Sequence, residues 1–123
     1  MYSAAWGLLM FPYSYALEKL SNAVRILAVG PGDVRSRLLD ATLEFHTLQA
    51  KDFPPNLQAD YQWVISQLTK REPDYGSEGK LQATLRHMIN RTGSRIAAKI
   101  CDLQYHLERA YEEWHLALQR SNR

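Results

Sequence analysis

Apolar side chains along this chain recur at alternating steps of four and three, the spacing of a helix face turned toward a core. Trp6, Met10, Tyr13, Leu17, Leu20, Val24 and Leu27 form the first such seam. Pro12 falls inside it, and an interior proline kinks a helix or costs about 3 kcal/mol. Two readings stay open: one kinked helix from near residue 3, or an apolar arm over residues 1–12 and a helix from about residue 13. Gly30, Pro31 and Gly32 end it, with a glycine at the C-cap and a proline behind. Asp33 has N-cap chemistry, and Val34, Leu38, Ala41, Phe45 and Leu48 repeat the spacing, which predicts a second helix over 34–48. Residues 49–53 read as a loop. Pro54 and Pro55 suit the first turn of a third helix, whose apolar face is Leu57, Tyr61, Val64, Ile65 and Leu68 and which Pro73 ends. The fourth seam runs Leu81, Leu85, Met88, Thr92, Ile96, Ile100, Leu103, Leu107, Ala110, Trp114 and Leu118. Unbroken, it would be a rod of roughly 55 Å. Gly93 is its weak point, at a helix-interior cost of about 1 kcal/mol, so a bend or break is expected near residues 90–94.

No period-two run of β-branched residues and no hairpin turn occurs, which argues against strands. The expected fold is all-α: an antiparallel bundle of four helices with a long C-terminal helix, in a single domain over residues 1–123. The last helix outruns its partners. Its distal half would expose Leu107, Tyr111 and Trp114 unless the N-terminal segment or a second copy covers them. Trp6, Tyr111 and Trp114 are therefore the candidate interface residues, for self-association or a protein partner.

Composition narrows the classes. The chain has 123 residues, 46% of them hydrophobic, enough for one core and too few for two. A single cysteine excludes a disulfide framework and a Cys-rich zinc module, and suits a reducing, cytoplasmic setting. Residues 1–17 carry no charge, but they hold Pro12 and three tyrosines and stop at Glu18. They are too short and polar for a membrane helix, and they lack the basic start of a signal peptide.

Catalytic and cofactor chemistry finds little footing. His46, His87, His106 and His115 show no His-x-x-x-His spacing, and Glu112 with His115 makes only one Glu-x-x-His, so no metal or other cofactor is expected. Cys101, beside Ile100, reads as core packing. Ser77 and Ser94 lack a nucleophile-elbow context. Gly30-Pro31-Gly32-Asp33 follows no strand and lacks a phosphate-binding lysine, so it reads as a helix–helix turn. Arg109 and His115, five residues between them, resemble the Arg-x4-6-His signature of the HEPN ribonucleases, small helical bundles that work as dimers. That resemblance implies an arginine and a histidine acting on an RNA phosphodiester at a dimer interface.

Charge is the one uneven feature. Between Glu78 and Asp102 no acidic residue occurs, while Lys80, Arg86, Arg91, Arg95 and Lys99 give +5 in a chain whose total is +2. His87, Arg91, Arg95 and Lys99 stand four apart and would form a stripe along the fourth helix. Such a stripe can neutralise successive phosphates, with arginine gripping them in bidentate fashion. The sequence-level expectation is a non-catalytic accessory or assembly protein that contacts RNA or DNA through Lys80, Arg86, His87, Arg91, Arg95 and Lys99. A purely protein-binding homo-oligomer is one alternative and a HEPN-like ribonuclease another. The bland counterpart is a solvated face paired with carboxylates such as Asp40, Glu44 or Asp60 on neighbouring helices.

Overall fold

Helix ends in this chain are set by side chains as much as by glycine and proline. The structure, a computed structural model, describes residues 11–121. Those residues form α1 (Ser14–Val29), α2 (Val34–Phe45), a 3-10 turn (Ala50–Asp52), α3 (Pro55–Leu68), α4 (Lys80–Arg86) and α5 (Asn90–Ser121), with no strand among them. Pro12 lies in the turn just before α1 and does not interrupt it. Residues 1–10, Trp6 included, lie outside the described residues.

Gly30 caps α1 with extended backbone, and the left-handed position falls two residues later, at Gly32 with φ +82°. There a side chain would be strained. Asp33 caps α2: its Oδ1 accepts from the Ser36 N–H at 3.1 Å, and its Oδ2 receives the Arg35 guanidinium at 3.0 Å. These donors hold the Asp33 carboxyl below the usual carboxylate range, the Ser36 amide first. Arg37 donates to the Leu27 carbonyl at 3.1 Å, which satisfies one acceptor left open at the end of α1. α2 stops at Phe45 rather than 48, because the Leu48 N–H turns back to the Phe45 carbonyl at 2.9 Å. Leu48 stays in the core all the same, and its carbonyl accepts the Tyr61 hydroxyl at 2.7 Å. α3 ends at Leu68, before Pro73 is reached: Thr69 leaves the helical backbone conformation, its amide making the last helical bond to the Ile65 carbonyl, which its hydroxyl shares.

The expected fourth helix is two helices, so the described residues hold five rather than four. The break lies at residues 87–89, where the Met88 N–H folds back on the Leu85 carbonyl and the Met88 side chain enters the core. Ile89 is turned out, 65% exposed. Arg35 donates to the Met88 carbonyl at 3.4 Å, so the broken ladder has a donor from α2. Gly93 is not the break. It lies inside α5, where an added Cβ would come 2.9 Å from Val34 Cγ1 and 3.4 Å from Leu38 Cδ1. The missing side chain lets α5 approach α2.

The core joins Leu20 and Ala23 of α1, Leu38, Ala41 and Phe45 of α2, Val64 and Leu68 of α3, and Ile96, Ile100, Leu103 and Leu107 of α5. α1 packs against α2 and α5, α5 also meets α2 and α3, and α4 rests on α2 and α3. α1 and α5 run in opposite directions: the Phe11 ring meets Tyr111 at 5.4 Å and Trp114 at 5.7 Å, while Gln104 reaches Ser21. Phe11 thus covers part of the aromatic surface that the sequence left open. Cys101 is not core packing. It is exposed, because one residue beyond Ile100 the helix has turned about 100° away from the seam. Desolvation, then Asp102, pushes its thiol pKa up, so it is not an activated nucleophile. No helix of the described residues is long and apolar enough to cross a membrane.

Candidate nucleic-acid interface

The basic residues between Glu78 and Asp102 divide into two groups at the break before α5. Lys80, Arg86 and His87 belong to α4 and its cap, and all three face carboxylates of the preceding loop. Lys80 lies 3.4 Å from Glu72. Arg86 holds Glu78 through Nε at 2.9 Å and Nη2 at 2.8 Å, reaches Asp74 at 3.2 Å, and lies over the Tyr75 ring at 5.2 Å. His87 Nε2 meets Asp74 Oδ2 at 3.1 Å. Hydrogen bonds from His87 and then Arg86 hold the Asp74 carboxyl below its ordinary range, and Arg86 does the same to Glu78. In return Glu78 and Asp74 raise the Arg86 pKa further. The three basic groups staple residues 72–78 to α4. The single stripe expected from the spacing of His87 with Arg91, Arg95 and Lys99 does not form, because His87 caps a helix that ends there.

Arg91, Arg95 and Lys99 share the first three turns of α5. Steps of four advance about 40° around the helix, so this row drifts toward α3. Lys99 consequently reaches Asp60 of α3, at 3.7 Å. Asp60 was one of the partners expected for such a face; Asp40 and Glu44 pair with none of these cations. Arg91 and Arg95 are exposed and form no ion pair or side-chain hydrogen bond among the described residues.

The fold adds neighbours that sequence spacing did not join to the stripe. Arg95 and Lys99 line a groove of about 550 Å³ between α3 and α5, together with Ala59, Asp60, Trp63 and Ala98. A second hollow of about 400 Å³ lies at the α4–α5 junction, lined by Lys70, Arg71, His87, Ile89 and Thr92 among others. Lys70 and Arg71 were visible in the sequence as an adjacent basic pair. Along the chain Glu72 and Asp74 separate them from the acid-free stretch, and only the packing of the segment after α3 brings them near α5.

The remaining candidates are placed apart. Tyr111 and Trp114 are half-buried and stack on each other at 6.4 Å beneath Phe11. Arg109 is exposed, whereas His115 is half-buried against Tyr111 at 5.8 Å, with Nε2 beside Gln119 at 3.2 Å and an enclosed Nδ1 that finds no partner among the described residues. Six residues apart, Arg109 and His115 point about 120° apart around α5. Arg109 makes no ion pair with Glu112 or Glu113. No group of three or more metal-ligating side chains occurs among the described residues. Compared with protein-family models, curated proteins and solved structures, the chain matches none of them.

Proposed function

We propose that this protein is a non-catalytic accessory or assembly factor that contacts the phosphate backbone of nucleic acid through the start of α5. One observation carries the reading: Arg91 and Arg95 stand one turn apart, exposed, with no carboxylate in ion-pair reach among the described residues. An arginine without an internal partner offers its full charge and its planar fork to a phosphate. The four other basic residues between Glu78 and Asp102 are engaged already, so Lys80, Arg86 and His87 act in fastening the loop and Lys99 in a supporting role. The architecture we read as an antiparallel helical bundle in which α4 is a short preface to α5.

The test is salt-dependent binding of a fluorescent oligonucleotide by wild type and by an Arg91→Gln/Arg95→Gln variant, glutamine being a comparable helix former. Two lost phosphate contacts should flatten the slope of log affinity against log salt by about 0.7–0.9 each. An Arg86→Gln variant should keep the wild-type slope. No binding by wild type at low salt, or equal slopes for wild type and the double variant, overturns the reading.

A second reading is association through the distal part of α5, favoured by the exposure of Tyr105 (54%) and Leu116 (49%). It expects a concentration-dependent dimer in sedimentation, and a clean monomer at tens of micromolar, the order of a weak-dimer range, excludes it.

A further inference from the structure

The groove between α3 and α5 puts an aromatic ring beside the unpaired end of the basic row. Trp63, partly buried against the core, lines it along with Arg95 and Lys99. α5 itself offers no aromatic residue before Tyr105, so nothing in the spacing along that helix pointed to stacking. The groove's remaining walls include Ala59 and Ala98, exposed and small, which leave its mouth open. Its volume of about 550 Å³ is of the size that small-molecule ligands occupy. Asp60 is the carboxylate on this wall, and Lys99 faces it at 3.7 Å, which leaves the charge of Arg95 uncompensated.

We propose that this groove takes single-stranded nucleic acid, with one base packed against the accessible part of Trp63 and the flanking phosphates at Arg95 and Arg91. The inference rests on the nucleic-acid reading above and deepens it, since a duplex keeps its base faces stacked and hidden. Arg91 and Arg95 are separated by roughly 6 Å along the helix, comparable with the separation of successive phosphates in an extended strand. Aromatic stacking combined with a cationic track is how single strands are held without base-edge readout. Binding is therefore strand-selective and only weakly sequence-selective.

The experiment compares a labelled single-stranded oligonucleotide with a blunt-ended, loop-free duplex of equal charge, for wild type, Trp63→Leu, Trp63→Phe and Ala98→Glu. Trp63→Leu keeps apolar packing and removes the ring. It should weaken single-strand binding by about 5- to 150-fold, the range of one lost base stack, with duplex binding and the salt slope unchanged. Trp63→Phe should lose less. Ala98→Glu, at an exposed helix position where folding tolerates it, should block the groove and weaken single-strand binding about tenfold or more by bulk and charge. Equal affinity of wild type for single strand and duplex, or wild-type affinity in either Trp63→Leu or Ala98→Glu, overturns the groove while a salt slope that depends on Arg91 and Arg95 keeps the broader reading. Wild type that binds neither probe overturns both.

Discussion

Gly93→Ala separates two opposed effects of one methyl group. In an ordinary helix interior the change would stabilise by about 1 kcal/mol, because glycine gives up more backbone freedom on folding. Here the new Cβ would lie 2.9 Å from Val34 Cγ1, 3.4 Å from Leu38 Cδ1 and 3.6 Å from the Met88 sulfur. The first distance is shorter than carbon atoms tolerate. Val34 opens α2 and is stiff at χ1 as a β-branched residue, so relief requires α5 to move away from α2. Overpacking of this kind costs about 1–3 kcal/mol. The net expectation is a destabilisation of about 0–2 kcal/mol, read from urea unfolding followed by far-ultraviolet circular dichroism with an unchanged m-value. The decisive comparison is made in a Val34→Ala background. With the Cγ1 methyl gone, the same Gly93→Ala change should stabilise by about 0.5–1 kcal/mol. A gain of about 1 kcal/mol in the wild-type background would refute the close approach of the two helices.

The remaining outcomes concern Tyr61 and the Asp74–Glu78–Arg86 staple, whose pKa values are displaced. Burial first, then the charge of Asp52, pushes the Tyr61 hydroxyl up to about 12. Its stabilising contribution is present below pH about 10, where an unfolded tyrosine ionises, and is lost as pH rises toward 12, so wild type should lose stability there more steeply than Tyr61→Phe. At neutral pH the same variant, which deprives the Leu48 carbonyl of its 2.7 Å donor, should cost about 1–3 kcal/mol in urea unfolding. The loop staple works in the opposite direction. Asp74 and Glu78 are held below their usual values, so the stabilisation is present above the unfolded carboxylate range near pH 4 and is lost as pH falls through the lower folded values. Arg86→Gln should speed amide exchange over residues 72–78 and leave the melting temperature nearly unchanged; protection equal to wild type in that stretch would refute the staple.

How far the fold was legible depends on what each feature needs. Asp33 as an N-cap and Pro55 as a first-turn residue are local chemistry, and both stand where the sequence put them. The seam of the last segment identified Ile96, Ile100, Leu103 and Leu107 as core, because a 3.6-residue period needs no knowledge of the partner. Helix ends were less legible. Leu48 keeps the apolar spacing of α2 yet lies beyond its end, since a periodic side chain reaches the core equally well from a tight turn. The break before α5 falls about one turn earlier than glycine propensity suggests, for a related reason. Gly93 reads as weakness by propensity alone, whereas its lack of a side chain serves the approach of Val34, a residue 59 positions earlier. The break itself depends on Met88 entering the core and Arg35 answering its carbonyl, both tertiary events.

The basic cluster shows the same limit in charge. Counting along the chain gives five cations without an acid between Glu78 and Asp102, but a cation's reach is set in space. Residues 72–78 fold back over α4, so Glu72, Asp74 and Glu78 lie against Lys80, Arg86 and His87. The drift of the i, i+4 row around α5 takes Lys99 to Asp60 and leaves Arg91 and Arg95 facing outward. An exposed pair made inside the chain contributes little to folding, but its carboxylate stands beside the cation and offsets part of the field an external phosphate would meet. Of the basic groups between Glu78 and Asp102, Arg91 and Arg95 are thus the two left unpaired among the described residues; Arg95 shares its groove with Trp63, and Lys70 and Arg71 lie across the junction. A cationic edge this narrow cannot hold a long duplex by charge alone. On the proposed nucleic-acid reading, it gains from a partner that also supplies an exposed ring face, and an unpaired strand does so where a duplex does not.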